Sequence, residues 1–148
     1  MRILIVEDEI LVALELEETL SDLGHTVVGI APDRRSFEAF ASEEIDLALV
    51  DLNLRDGETG VEIGRALADR RAAVVFVTAN PDLLREGVAG TIGVLPKPAT
   101  RKAVADVVEY AGRRSRHRRR RRGGRRRHRH RRRQGRRRQG RRRHEGRR

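Results

Sequence analysis

Residues 47–51 read Leu47-Ala48-Leu49-Val50-Asp51: four apolar side chains in unbroken succession, then a carboxylate. A strand with one wet face alternates apolar and polar residues, whereas a short continuous run suits a strand buried on both faces of a parallel sheet. The pattern recurs along the chain. Ile3-Leu4-Ile5-Val6 runs into Glu7-Asp8, residues 26–30 form a second run, residues 73–77 end at Thr78, and residues 91–95 precede Pro96-Lys97-Pro98. With residues 47–50, these predict five strands.

Helical spacing fills the intervals. Over residues 9–23, Val12, Ala13, Leu16, Leu20 and Leu23 share one stripe, and Gly24 is placed to stop the helix. Residues 36–41, 60–70 and 100–111 are further helices, the last with Val104, Val107 and Val108 inward, and residues 81–88 give a shorter one opening at Pro81. Strands alternating with helices predict an α/β (βα)5 fold, a doubly wound five-stranded parallel sheet with right-handed crossovers and strand order 2-1-3-4-5. Such sheets take ligands beyond the carboxyl ends of their strands, near the point where the order reverses.

Strand ends are therefore where function is to be sought. In this order the first, third, fourth and fifth strands are consecutive neighbours. Glu7, Asp8, Asp51, Thr78 and Lys97, one of only two lysines, then converge on one rim. Taken singly, Asp8 is a helix cap, Asp51 a turn opener, Thr78 a residue of high strand propensity and Lys97 a solvated surface charge. Their joint placement has no such explanation. Three close carboxylates repel one another unless a cation lies among them. Oxygen donors without His or Cys suit Mg²⁺, which keeps waters and binds alongside phosphate. Lys97 offers a second positive charge, and Thr78 a hydrogen bond, to phosphate oxygens.

Charge divides the chain. The formal net charge of +12 hides a segment, residues 113–148, with 23 Arg against one acid, Glu145, for +22. Residues 1–112 hold 11 Lys+Arg against 21 acids, for −10, so the basic balance describes the tail alone. No Cys is present, which rules out disulfides and thiolate metal sites. The longest apolar run, residues 72–77, is far short of the ~20 residues of a membrane span, and the acids after Val6 leave no secretory signal core. A cytoplasmic protein without membrane contact is expected.

The motifs Ile5-Val6-Glu7-Asp8-Glu9, Leu49-Val50-Asp51-Leu52-Asn53-Leu54, Val77-Thr78-Ala79 and Pro96-Lys97-Pro98 together resemble the receiver domains of two-component response regulators, over residues 1 to about 112. The resemblance implies a flavodoxin-like fold in which Asp51 is the phosphoacceptor. Asp8 ligates Mg²⁺ directly, Glu7 acts through water, and the backbone carbonyl of Asn53 completes the protein ligands. Thr78 and Lys97 bind phosphoryl oxygens, Ala79 leaves access, and the Lys97–Pro98 peptide bond is cis. Asp51 would become an aspartyl phosphate in a phosphorelay, supplied by a histidine kinase or a histidine phosphotransfer protein and read by an output partner. The chain would be no enzyme beyond catalysing its own phosphorylation and dephosphorylation.

Two departures narrow the resemblance. Arg55 stands where a proline is usual, and Gly60 opens its helix one residue late, a longer loop similar to that of a subgroup with many stand-alone receivers. Val94 replaces the aromatic residue three positions before the lysine, so a threonine–aromatic rotation cannot be the readout in its usual form. Ile10 and Leu14 project opposite the core stripe beside Glu7 and Asp8, and are expected to form part of a docking surface for the phosphoryl donor.

Residues 113–148 contain only Arg, Gly, His, Gln, Ser and Glu, so no core can form and a disordered low-complexity tail is expected. Besides contact with the acidic receiver of its own or a neighbouring molecule, two readings stay open for it. One is weak, salt-sensitive contact with nucleic-acid phosphates, making the chain a receiver-gated nucleic-acid-binding regulator. The other is an extension without function, such as a shifted frame in GC-rich coding sequence would give. A haloacid-type phosphatase would want Asp where Asn53 stands, and no Gly-x-Gly-x-x-Gly follows the first strand to hold a nicotinamide cofactor.

Overall fold

The computed structural model describes residues 1–84 and 87–116; the expected tail lies outside them save for residues 113–116. Met1–Gly112 form one compact unit. Its elements run β1 (Arg2–Val6), α1 (Ile10–Asp22), β2 (Thr26–Ala31), α2 (Arg34–Glu38), β3 (Leu47–Val50), α3 (Gly60–Asp69), β4 (Ala73–Thr78), a 3₁₀ turn (Pro81–Leu84) and β5 (Gly93–Pro96). A last helix, α4, covers residues 101–116. The five strands are parallel in the order β2-β1-β3-β4-β5.

Unbroken apolar runs are explained by the two cores they serve. Ile3, Ile5, Leu47, Leu49, Val75, Val77 and Leu95 point to one face, where Ala13, Leu16 and Leu20 of α1 and Val104 and Val108 of α4 cover them. Leu4, Val6, Ala48, Val50, Val74 and Phe76 point to the other, against Ile63 and Leu67 of α3, with Phe37 and Phe40 at its margin. Residues of the central strands β1, β3 and β4 are thus buried whichever way they point, Arg2 and Ala73 excepted, whereas the edge strands β2 and β5 are largely half-buried or exposed.

Differences from the expected elements have local causes. The second helix starts at Arg34 rather than Ser36, because Asp33 Oδ1 accepts the Ser36 N–H at 2.7 Å and caps the first turn. It ends early, as Ala39, Phe40 and Ala41 each donate to the carbonyl three residues back. The fifth strand starts at Gly93, because the Thr91 N–H and hydroxyl both turn back to the Val88 carbonyl, at 3.1 and 2.7 Å. Of the helix expected over residues 81–88, Pro81–Leu84 form a single 3₁₀ turn; residues 85 and 86 are not described, and Gly87 adopts φ +71°. Arg70 caps α3 instead of continuing it.

Gly60 fixes how α3 meets β3. Its N–H donates to the Leu52 carbonyl at 3.2 Å. A Cβ there would collide with the Asp51 carbonyl oxygen and lie 2.7 Å from Leu52 Cα. Those neighbours are backbone and cannot swing aside as a flexible side chain can. Ala ordinarily gains up to ~1 kcal/mol over Gly within a helix. Here the collision decides the sign, and Gly60→Ala is expected to lose about 1–3 kcal/mol in urea denaturation. An unchanged or raised midpoint would show that the loop after β3 yields freely.

Candidate functional site

Parallel pairing brings the carboxyl ends of β1 and β3 side by side, with Val6 opposite Val50, so the residues that follow them are neighbours. Glu7, Asp8 and Asp51 each place a carboxylate oxygen within 4.8 Å of the other two. Glu7 is 2% exposed and Asp51 6%, so two of the three charges have little water to screen them. β5 lies two strands from β3, beyond β4, and Lys97 follows it. The Lys97 N–H donates to the Thr78 carbonyl at 2.9 Å, which aligns the loop, and the Lys97–Pro98 bond is cis.

Lys97 reaches across the rim. Its Nζ lies 2.8 Å from Asp51 Oδ2 and 2.8 Å from Glu7 Oε2. The contact with Asp51 is an aligned hydrogen bond, whereas that with Glu7 is a charge contact that leaves Oε2 without a hydrogen-bond partner. Glu9 Oε1 is 3.7 Å from the same ammonium. Glu9 is a participant the sequence did not single out; its signal was its place as third acid in the run Glu7-Asp8-Glu9. Glu9 also donates its N–H to Glu7 Oε1 at 3.0 Å.

The electrostatics leave an excess of negative charge. At an effective dielectric of about 20, two carboxylates 4.8 Å apart repel by roughly 3 kcal/mol. Burial pushes the Glu7 carboxyl above the usual range, with Asp51 adding to the effect and Lys97 and the Glu9 N–H working against it. Burial also disfavours the Lys97 ammonium, but its bonds to Asp51 and Glu7 outweigh that and raise its pKa. The clustered carboxylates of Glu7, Asp8 and Asp51 and the one ammonium leave a formal surplus of two negative charges, to which the exposed Glu9 adds a third. A divalent cation is the charge that balances it, and an oxygen-only donor set fits Mg²⁺.

The remaining residues stand at the margin. Thr78 ends β4, 1% exposed, and its hydroxyl accepts the Asn80 N–H at 3.1 Å, which keeps its own proton for another acceptor. The Asn53 N–H donates to Asp51 Oδ1 at 3.4 Å. Val94 is paired with Phe76 across the β4–β5 ladder and is 38% exposed, so the position carries no buried aromatic ring. Ile10 and Leu14 are exposed beside the site as expected, joined by Leu11 at 73%. No described helix is long and apolar enough to cross a membrane.

Sheet order, an acidic cluster at the carboxyl rim and a lysine bridging it define a receiver domain. The chain belongs to the response regulator receiver domain family, whose model matches residues 3–109. It is 39% identical over 88 residues to the phyllosphere-induced regulator PhyR of Methylorubrum extorquens, covering 57% of this chain and 33% of that protein. It is 33% identical over 122 residues to the transcriptional regulatory protein PdtaR of Mycobacterium tuberculosis, covering 78% of this chain and 58% of that protein. The structure of the Erythrobacter litoralis PhyR receiver domain superimposes with a TM-score of 0.67 at 31% identity, over 74% of this chain and 88% of that one. The chain thus spans a third to somewhat over half of the full-length relatives and nearly all of an isolated receiver.

Proposed function

We propose that this receiver is a phospho-accepting switch in which Asp51 takes a phosphoryl group from a phosphohistidine. The contact that carries the proposal is the bridge from Lys97 Nζ to Asp51 Oδ2 and Glu7 Oε2, inside a cluster of three carboxylates. Glu7, Asp8, Asp51 and the Asn53 carbonyl would hold Mg²⁺. When bound, the ion supplies positive charge against the equatorial phosphoryl oxygens.

The chain's own groups do the rest. The Asp51 carboxylate attacks phosphorus in line. An O–P bond forms as the P–N bond breaks, and the bonding pair leaves on the imidazole nitrogen of the donor. Lys97 moves its hydrogen bond from the Asp51 carboxylate to a phosphoryl oxygen, and Thr78 turns its free proton to another. Positioning and charge, not a further nucleophile, lower the barrier. The only reactions catalysed are formation and hydrolysis of this acyl phosphate.

A histidine kinase or histidine phosphotransfer protein in the cytoplasm is the proposed donor, seated on the apolar surface that Ile10, Leu11 and Leu14 leave exposed beside the site. Phosphorylation then biases two arrangements of the segment after Thr78, β5 and α4 toward an output partner. Without an aromatic ring at Val94, Thr78 and its Asn80 contact are where the change starts.

Two outcomes test these assignments. Incubation with acetyl phosphate and Mg²⁺ is expected to add the mass of one phosphoryl group to the wild type and none to Asp51→Asn. An adduct on Asp51→Asn at the wild-type rate would move the acceptor elsewhere. Ile10→Asp is expected to keep the acetyl phosphate reaction and slow transfer from a phosphorylated partner about fivefold or more, the effect of losing ~1 kcal/mol of contact. Equal transfer rates would remove α1 from the docking surface.

A further inference from the structure

The loop after β3 does more than join Asp51 to α3. It crosses the turn that opens α2, and the two segments are bonded in both directions. The Arg55 N–H donates to the Pro32 carbonyl at 3.3 Å, and the Arg34 N–H donates to Asp56 Oδ2 at 3.0 Å. The other Asp56 oxygen, Oδ1, accepts the Thr59 hydroxyl at 2.7 Å. Leu54 and Gly57 pair backbone to backbone, 2.9 Å in each direction, and fold the loop so that Asp56 sits at its outer bend. Arg34 also forms an ion pair with Glu62 on the first turn of α3. At the inner end, Gly60 packs against the backbone of Asp51 and Leu52.

We infer that Asp56 is a positioning residue for the phosphoacceptor, a latch that fastens the Asp51 loop to the β2–α2 turn. The inference rests on the phosphoacceptor reading of Asp51. One carboxylate spans both segments, one oxygen holding the loop to itself and the other holding it to α2. Asn53 lies between the acceptor and this latch, so the position of its backbone depends on where the loop is pinned. Asp56 is exposed, and water can replace its lost bonds, so removing it costs little global stability. Groups bonded to a metal's ligands change affinity or activity by about 10–100-fold, and Asp56 acts one step further out, through the loop backbone that carries Asn53.

The test compares wild type, Asp56→Ala, Asp56→Asn, Thr59→Ala and Asp51→Asn in full-length protein. Each is measured for the rate of phosphorylation by acetyl phosphate over a Mg²⁺ series, and for thermal midpoint. Asp56→Ala is expected to lower the rate, or raise the half-saturating Mg²⁺, about tenfold, with a midpoint near wild type. Asp56→Asn, whose amide oxygen still accepts one bond, recovers part of the loss. Thr59→Ala, which keeps the bond to Arg34, falls short of the Asp56→Ala effect. A wild-type rate and Mg²⁺ dependence in Asp56→Ala overturns the latch, as does a Thr59→Ala effect as large as that of Asp56→Ala. A wild type that gains no more phosphate than Asp51→Asn defeats the acceptor reading itself, and the latch with it.

Discussion

Lys97 Nζ lies 2.8 Å from both Glu7 Oε2 and Asp51 Oδ2, two carboxylates with almost no access to water. A buried carboxylate is tolerated only when a positive charge or several donors face it. One lysine cannot satisfy Glu7, Asp8 and Asp51 together. The rim is therefore held in a state of surplus negative charge, and Glu7 Oε2 meets the lysine as an ion pair without an aligned hydrogen bond. In the function proposed above, a divalent cation would offset that surplus and a transferred phosphoryl group would meet that lysine.

The fold exists to keep those charges in place. β1 and β3 are adjacent at the point where the strand order reverses, which is why Glu7-Asp8 and Asp51 meet although they lie far apart in sequence. Two apolar layers clamp the strands, one under α1 and α4 and one under α3, so the strand ends cannot drift apart to relieve repulsion. The backbone approach of Gly60 to Asp51 holds the third side. Stability of the core thus offsets the cost of the charged rim, a division of labour common at functional sites.

Continuous apolar runs made the central strands legible, and β3 lies at residues 47–50 as its pattern requires. Alternation with helices points to a doubly wound parallel sheet, and its expected order 2-1-3-4-5, which the structure has, is enough to bring Glu7, Asp8, Asp51 and Lys97 to one rim. Short-range bonds were less legible. Thr91 turning back on Val88 delays β5, and Asp33 capping Ser36 advances α2; the cap has a readable signal in Asp33-x-x-Ser36, the Thr91 turn has none. The part of Glu9 in the lysine's surroundings depends on side-chain reach, which strand-end position alone does not set. The latch at Asp56 depends on how the ten residues from Asp51 to Gly60 fold over a distant turn, a relation that no periodicity encodes.

The surplus negative charge at the rim is the feature on which the account stands. Thermal unfolding of the full chain across a Mg²⁺ series, against NaCl of matched ionic strength, measures it directly. The midpoint is expected to rise with Mg²⁺, logarithmically once the ion exceeds its Kd as RT ln(1 + [L]/Kd) requires, and the rise is expected to vanish in Asp8→Asn. Equal midpoints in Mg²⁺ and NaCl, or a full rise in Asp8→Asn, would contradict the claim that Glu7, Asp8 and Asp51 are gathered to hold a divalent ion.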